Sequence, residues 1–130
     1  TFGTANTDIS AYVASVSLTL SAAEVATTAF GTANAVTRIQ GLRDHSVTLS
    51  MHQDYPTIEK LFYDAFQNGT AVPMVIKPNG TATAGSAQPQ YSFNVLPVGY
   101  TPVNGAVGDL ATFDVTFPVD GAITKTGTNA

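Results

Sequence analysis

The sequence predicts a mainly β domain: a β-sandwich or open barrel of about six or seven strands, with one α-helix inserted at about 56–67 and a long hairpin at about 21–41. Three observations predict it. Apolar and small polar residues alternate with a period of two along much of the chain. Only one stretch, Ile58 to Phe66, carries helical spacing instead. Gly, Pro and Asn punctuate what remains. A length of 130 residues suits a single domain over 1–130, with flexible polar arms at about 1–10 and 121–130.

Taken in order, TFGTANTDIS leads into the first strand, Tyr12 to Leu20. There Tyr12, Ala14, Val16, Leu18 and Leu20 share one face, and Val13, Ser15, Ser17 and Thr19 share the other. Small polar residues on that second face imply solvent or a lumen. Residues 21–41 read two ways. Ser21-Ala22-Ala23-Glu24 has the form of a helix cap. Thr27-Thr28 and Val36-Thr37 are poor helix formers, which favours a hairpin turning around Gly31-Thr32-Ala33-Asn34. So weakly amphipathic a hairpin needs a neighbour to lie on. The pentapeptide FGTAN occurs at Phe2–Asn6 and again at Phe30–Asn34; beyond it the two copies diverge, as coincidence in a Thr/Ala/Gly-rich chain would give.

Val47, Leu49 and Met51 then alternate with Ser46, Thr48, Ser50 and His52, the pattern of a half-buried strand. The helix follows. Pro56 suits its first turn, and Asp54 its cap. Ile58, Leu61, Phe62, Ala65 and Phe66 form one apolar stripe, and Asn68-Gly69 ends it. Burying such side chains contributes roughly 1.5–3 kcal/mol each before entropy, so this helix must lie on the sheet. Val72, Met74, Val75 and Ile76 form the next strand, closed by Pro78-Asn79-Gly80. Gly80 to Pro89 reads as a surface loop. Tyr91, Phe93 and Val95 form a strand that Pro97 ends or bulges. Tyr100 to Gly108 turns. The last strand sets Ala111, Phe113, Val115, Phe117 and Val119 on one face, and Thr112, Asp114, Thr116 and Pro118 on the other.

Composition narrows the function. Charged residues make up 11% of the chain, against about 25% in an ordinary domain. A polar but nearly uncharged surface suits a chain that meets other protein; a Thr/Ser-rich β-protein from a compositionally biased genome would look the same. Net charge is −4, with no Lys or Arg before Arg38, so no basic patch for tight nucleic-acid binding exists. Without cysteine, neither a disulfide framework nor a thiolate metal site is possible. No apolar run is long enough to span a membrane as a helix. No signal peptide is visible, and synthesis in the cytoplasm with the initiator Met removed is the simplest expectation.

Chemistry is sparse. Zinc-protease, nucleophile-elbow, phosphate-loop and dinucleotide motifs do not occur. His45 and His52, seven apart, fall on opposite faces of a regular strand and would not share a metal. Scattered Ser, His and Asp read as polar strand residues, so neither an enzyme nor a cofactor is expected. Asn68-Gly69-Thr70 and Asn79-Gly80-Thr81 match the glycosylation sequon but coincide with a helix cap and a turn. Tyr55, Tyr63, Tyr91 and Tyr100 lie at core or interface spacing, and the absence of Trp weakens a carbohydrate site.

Several short motifs, in order, carry a resemblance. They are Asp8-Ile9-Ser10-Ala11-Tyr12; Glu24 with Thr27, Thr28, Phe30 and Gly31; Gly41-Leu42-Arg43-Asp44; and Gly108, Asp109, Phe113, Phe117 and Gly121. Over roughly 8–125 the chain resembles the small tail tube (major tail) proteins of long-tailed bacteriophages. The resemblance implies a virion structural protein, assembled in the host bacterial cytoplasm. Its subunits would form six-fold rings whose inner sheets join into one barrel, and the rings would stack into a tube. The partners implied are further copies of the chain and other tail proteins, with DNA only as non-specific passing cargo and no membrane. Glu24, Thr27, Thr28, Phe30, Gly31 and Arg38 would belong to the hairpin that reaches a neighbouring subunit. Thr112, Asp114 and Thr116, or Ser46, Thr48 and Ser50, would face the lumen. Two alternatives are another virion protein, such as a head decoration or tail completion subunit, and an adhesion or ligand-binding β-domain.

Overall fold

The longest strand organises the molecule. A computed structural model describes residues 1–31, 35–80, 83–85 and 87–127. Among these described residues are seven strands: β1 (Val13–Thr19), β2 (Ala22–Ala26), β3 (Arg38–Arg43), β4 (Ser46–His52), β5 (Val72–Ile76), β6 (Gln90–Val95) and β7 (Thr112–Thr126). Five form one antiparallel sheet in the order β1-β4-β7-β6-β5; β2 and β3 form a separate two-stranded sheet. The five-stranded sheet is open, not closed. β7 serves both of its halves. Thr112 to Pro118 pair with β4, and Val119 to Thr126 pair with β6. At the changeover, Gly121 takes φ 86° and the register with β6 slips between Ser92 and Asn94. A side chain resists that φ, so glycine at this position permits the bulge that re-aims the strand.

One face of the sheet is the core. Val47, Leu49 and Met51 on β4 and Phe113, Val115 and Phe117 on β7 are buried, as their alternation predicts. The helix covers them. It opens as a π-helical turn, Tyr55–Glu59, and continues as α1, Lys60–Asn68. The wide first turn comes from Asp54, whose carbonyl accepts from both Ile58 N and Glu59 N while its carboxylate accepts from Thr57 N at 3.1 Å. Ile58 and Phe62 are fully buried; Phe66, at the margin of the stripe, is 42% exposed. The Phe62 ring lies 4.7 Å from Phe2, 5.6 Å from Tyr100, 5.8 Å from Phe117 and 6.0 Å from Phe113. Tyr100, half-buried, thus packs against the core. Burial pushes its phenol above the ordinary value, and a hydrogen bond from Gln53 opposes that.

Three expectations are corrected. The first ten residues do not form a flexible arm. Phe2 is completely buried, Gly3 N–H donates to Pro73 O, and the Thr1 and Val75 backbones exchange hydrogen bonds. The aromatic ring supplies the anchor that the polar residues around it concealed. Nor is 121–126 an arm, because β6 pairs with it to Thr126. Within β1, the face assignment changes partway. A bulge at Ala14 shifts the register between Val13 and Ser15, so Val13, opposite Met51, shares the core side with Val16 and Leu18. Val13 is half-buried there, whereas Tyr12 lies in the turn before the strand.

Candidate functional site: a polar sheet face and a projecting hairpin

The uncovered face of β1, β4 and β7 gathers all the residues expected to line a lumen. Cross-strand pairing sets them in rows: Thr19, Ser46 and Pro118; Ser17, Thr48 and Thr116; Ser15, Ser50 and Asp114; then His52 and Thr112. The rows follow from period-two patterning on three adjacent strands, which puts every other residue on one side. Thr48 Oγ1 and Thr116 Oγ1 are 3.1 Å apart and hydrogen-bonded. Thr48, Thr112, Asp114 and Thr116 are exposed, and Ser46 and Ser50 are half-buried. Asp114 is the one charged side chain in these rows. A surface of hydroxyls with a carboxylate and no Lys or Arg attracts no polyanion. Ser15, Ser17 and Thr19 join it, and their alternation in β1 already signalled that side as solvent or lumen.

Both edges of this three-stranded unit are open. β1 ends the sheet, and Thr112 to Phe117 of β7 have a strand partner on the β4 side alone among the described residues, with the Asn104 side chain capping Thr112 O at the start of that edge. β1 and β7 are each antiparallel to β4, so the two open edges run parallel.

The second feature rises from the same strands. β2 and β3 extend the β1–β4 pair beyond a bend. There Ser21 N–H donates to His45 Nδ1 at 3.1 Å, and Asp44 N–H donates to Ser21 O at 2.8 Å. The bend makes the His45 ring the acceptor of a backbone N–H, away from His52 at the far end of β4. No group of metal-binding side chains is found among the described residues.

The expected hairpin residues come together here. Glu24 Oε1 meets Arg38 Nε at 2.5 Å across the strands. Thr27 Oγ1 bonds Thr37 Oγ1 at 3.0 Å, and Thr28 Oγ1 accepts from Thr37 N–H at 3.1 Å. The threonine pair therefore clasps the arms where the ladder ends. Gly41 lies so close to β2 that a Cβ there would meet Val25 Cγ2 at 3.2 Å and Ala23 O at 3.3 Å. Phe30 is fully exposed, and Val25, Ile39 and Leu42 are 45%, 58% and 89% exposed. Gly31 follows Phe30 at the end of the described arm; Thr32, Ala33 and Asn34, with most of the second FGTAN copy, lie outside the described residues.

The remaining motif residues act structurally. Asp8 accepts from the N–H of Ser10 at 2.9 Å and from its hydroxyl at 2.5 Å, while Ile9 is buried. Asn68 ends α1 before the Gly69 cap, so the first sequon is a helix terminus; the second includes Thr81, outside the described residues. The chain matches no protein-family model, and a search of curated proteins finds no match.

Proposed function

We propose that the chain is a structural subunit of a bacteriophage tail tube, self-assembling into stacked hexameric rings that form a channel for DNA. One observation carries this reading: a single sheet combines an uncovered hydroxyl face with two open, parallel edges. Joining the β7 edge of one copy to the β1 edge of the next is a head-to-tail contact. Such a contact closes into a ring when its rotation permits, and the closed barrel has no free edge. The hydroxyl face then lines the lumen. Asp114 repels phosphate there, so DNA passes without being held.

The hairpin supports the same reading. Its strands bury little of either face, and an isolated two-stranded sheet is marginal in water. An adjacent subunit or ring would cover Val25, Phe30, Ile39 and Leu42. The low charge of the chain agrees with extensive burial on assembly. In this reading the subunit resides in the virion after assembly in the host cytoplasm, with its own copies and other tail proteins as partners.

Negative-stain microscopy of the purified chain over a concentration series tests this. Rings or tubes with a central channel are expected. A monomer at every concentration contradicts the reading. A compact trimer also contradicts it and instead fits a head decoration subunit.

A further inference from the structure

A groove of about 490 Å³ runs between the start of β1 and the outer side of β5. Val13, Val16, Met74 and Ile76 give it an apolar lining, and Asp8 and Lys77 stand beside them. Val16 is 45% exposed, and Lys77 makes no ion pair among the described residues. We propose that the segment 103–110 of a second copy, the stretch just before its β7, docks in this groove. The proposal rests on the ring-forming reading above and names a lateral contact that edge pairing alone does not supply.

Three observations select this occupant. The segment carries Val103, Val107 and Leu110 at 76%, 108% and 69% exposure among the described residues. Its backbone is nevertheless held. Gln53 Nε2 donates to Pro102 O at 2.7 Å, Asn104 Nδ2 donates to Thr112 O at 2.9 Å, and Asp109 N–H donates to Ala106 O at 3.1 Å. An apolar surface on a pinned loop loses little entropy on docking.

Polarity supplies the second observation. β1 and β7 point the same way, and rotation about a ring axis preserves that direction. Joining β7 to the next β1 therefore sets the start of one strand beside the start of the other. The segment before β7 then lies next to the groove at the start of β1. Charge supplies the third: Lys77 is the one cation among the groove's side chains and is available to Asp109 of the segment, while the groove's carboxylate, Asp8, is engaged by Ser10.

The chain has no cysteine, so introduced pairs can be read without background. Val16→Cys combined with Leu110→Cys is expected to oxidise to a ladder of covalently linked subunits in assembling protein. Val16→Cys with Phe30→Cys is the control for hairpin occupancy. A ladder from that control alone assigns the groove to the hairpin and overturns the proposal. Separately, Asp109→Lys and Lys77→Asp should each raise the concentration needed for assembly, by at least about fivefold, and together restore it. Rings that form at the wild-type concentration in both single variants overturn the groove contact and leave the tube reading standing. Failure of the wild-type protein to form rings, together with no ladder from the Val16→Cys/Leu110→Cys variant, overturns both. Of the five substituted positions, Phe30, Lys77, Asp109 and Leu110 are exposed and Val16 is 45% exposed, and circular dichroism of each variant checks that the fold is retained.

Discussion

The β1–β4 pair and the β2–β3 pair are two stretches of one continuous hairpin, yet they live in different physical circumstances. In the first, Val47, Leu49 and Met51 sit beneath α1, and the opposite face is hydroxyl-rich. In the second, Val25 and Ile39 face each other across the ladder and stay exposed among the described residues. The two copies of FGTAN mark the same contrast: Phe2 is wholly buried and Phe30 wholly exposed. A short motif does not fix burial; the element available to cover it does. The first region is packed within the subunit, whereas the second is left exposed, and under the tube reading proposed above a neighbour would cover it.

The comparison breaks most visibly at the aromatic centre. Phe62→Ala removes a ring in contact with Phe2, Tyr100, Phe113 and Phe117 and should cost about 3–5 kcal/mol in a denaturant titration. A loss below about 1 kcal/mol would mean that α1 is not the cover of the core. Asp54→Ala removes the side-chain cap of the π-helical turn and should cost about 1 kcal/mol by the same measurement. Val25→Ser with Ile39→Ser should shift the subunit's global unfolding by no more than about 0.5 kcal/mol, since both side chains are already substantially exposed. The same double variant should fail to form tubes in the microscope. Tubes of normal length from that protein would show that the hairpin has no neighbour to hold.

The smallest effect concerns pH. The Ser10 hydroxyl, and then the Ser10 N–H, hold the Asp8 carboxyl below the usual carboxylate range. A lowered pKa places any stability it contributes above that range, to be lost only as pH falls through the lowered value. Ser10→Ala should move the Asp8 titration upward in an NMR experiment; an unchanged midpoint would contradict the hydrogen bond.

Much of this was legible in the chain. The alternation in Ser46–His52 and in Phe113–Phe117 gave both the buried and the polar face, because a strand's period is two and both sides were cleanly separated. The helix was legible from the spacing of Ile58, Phe62 and Ala65. Three things were not. Phe2 gives no period, being a lone apolar residue whose place depends on distant partners, Phe62 on α1, Met74 on β5 and Phe117 on β7. The Ala14 bulge inverts a face by adding one residue, which no alternation reveals. The continuation of β7 through Gly121 was hidden because glycine and charge read as a terminus until β6 lies alongside. The edges that define the candidate site are likewise a property of strand order, which periodicity does not contain.

The most direct test of the lumen assignment uses one introduced thiol. Ser17→Cys is nearly isosteric and lies on the exposed row with Thr48 and Thr116. In the free subunit, a small maleimide and a bulky polymer-linked maleimide should both react. In assembled tubes with sealed ends, the small reagent should still react and the bulky one should not. Equal reaction with the bulky reagent before and after assembly would place the hydroxyl face outside the tube and contradict the account.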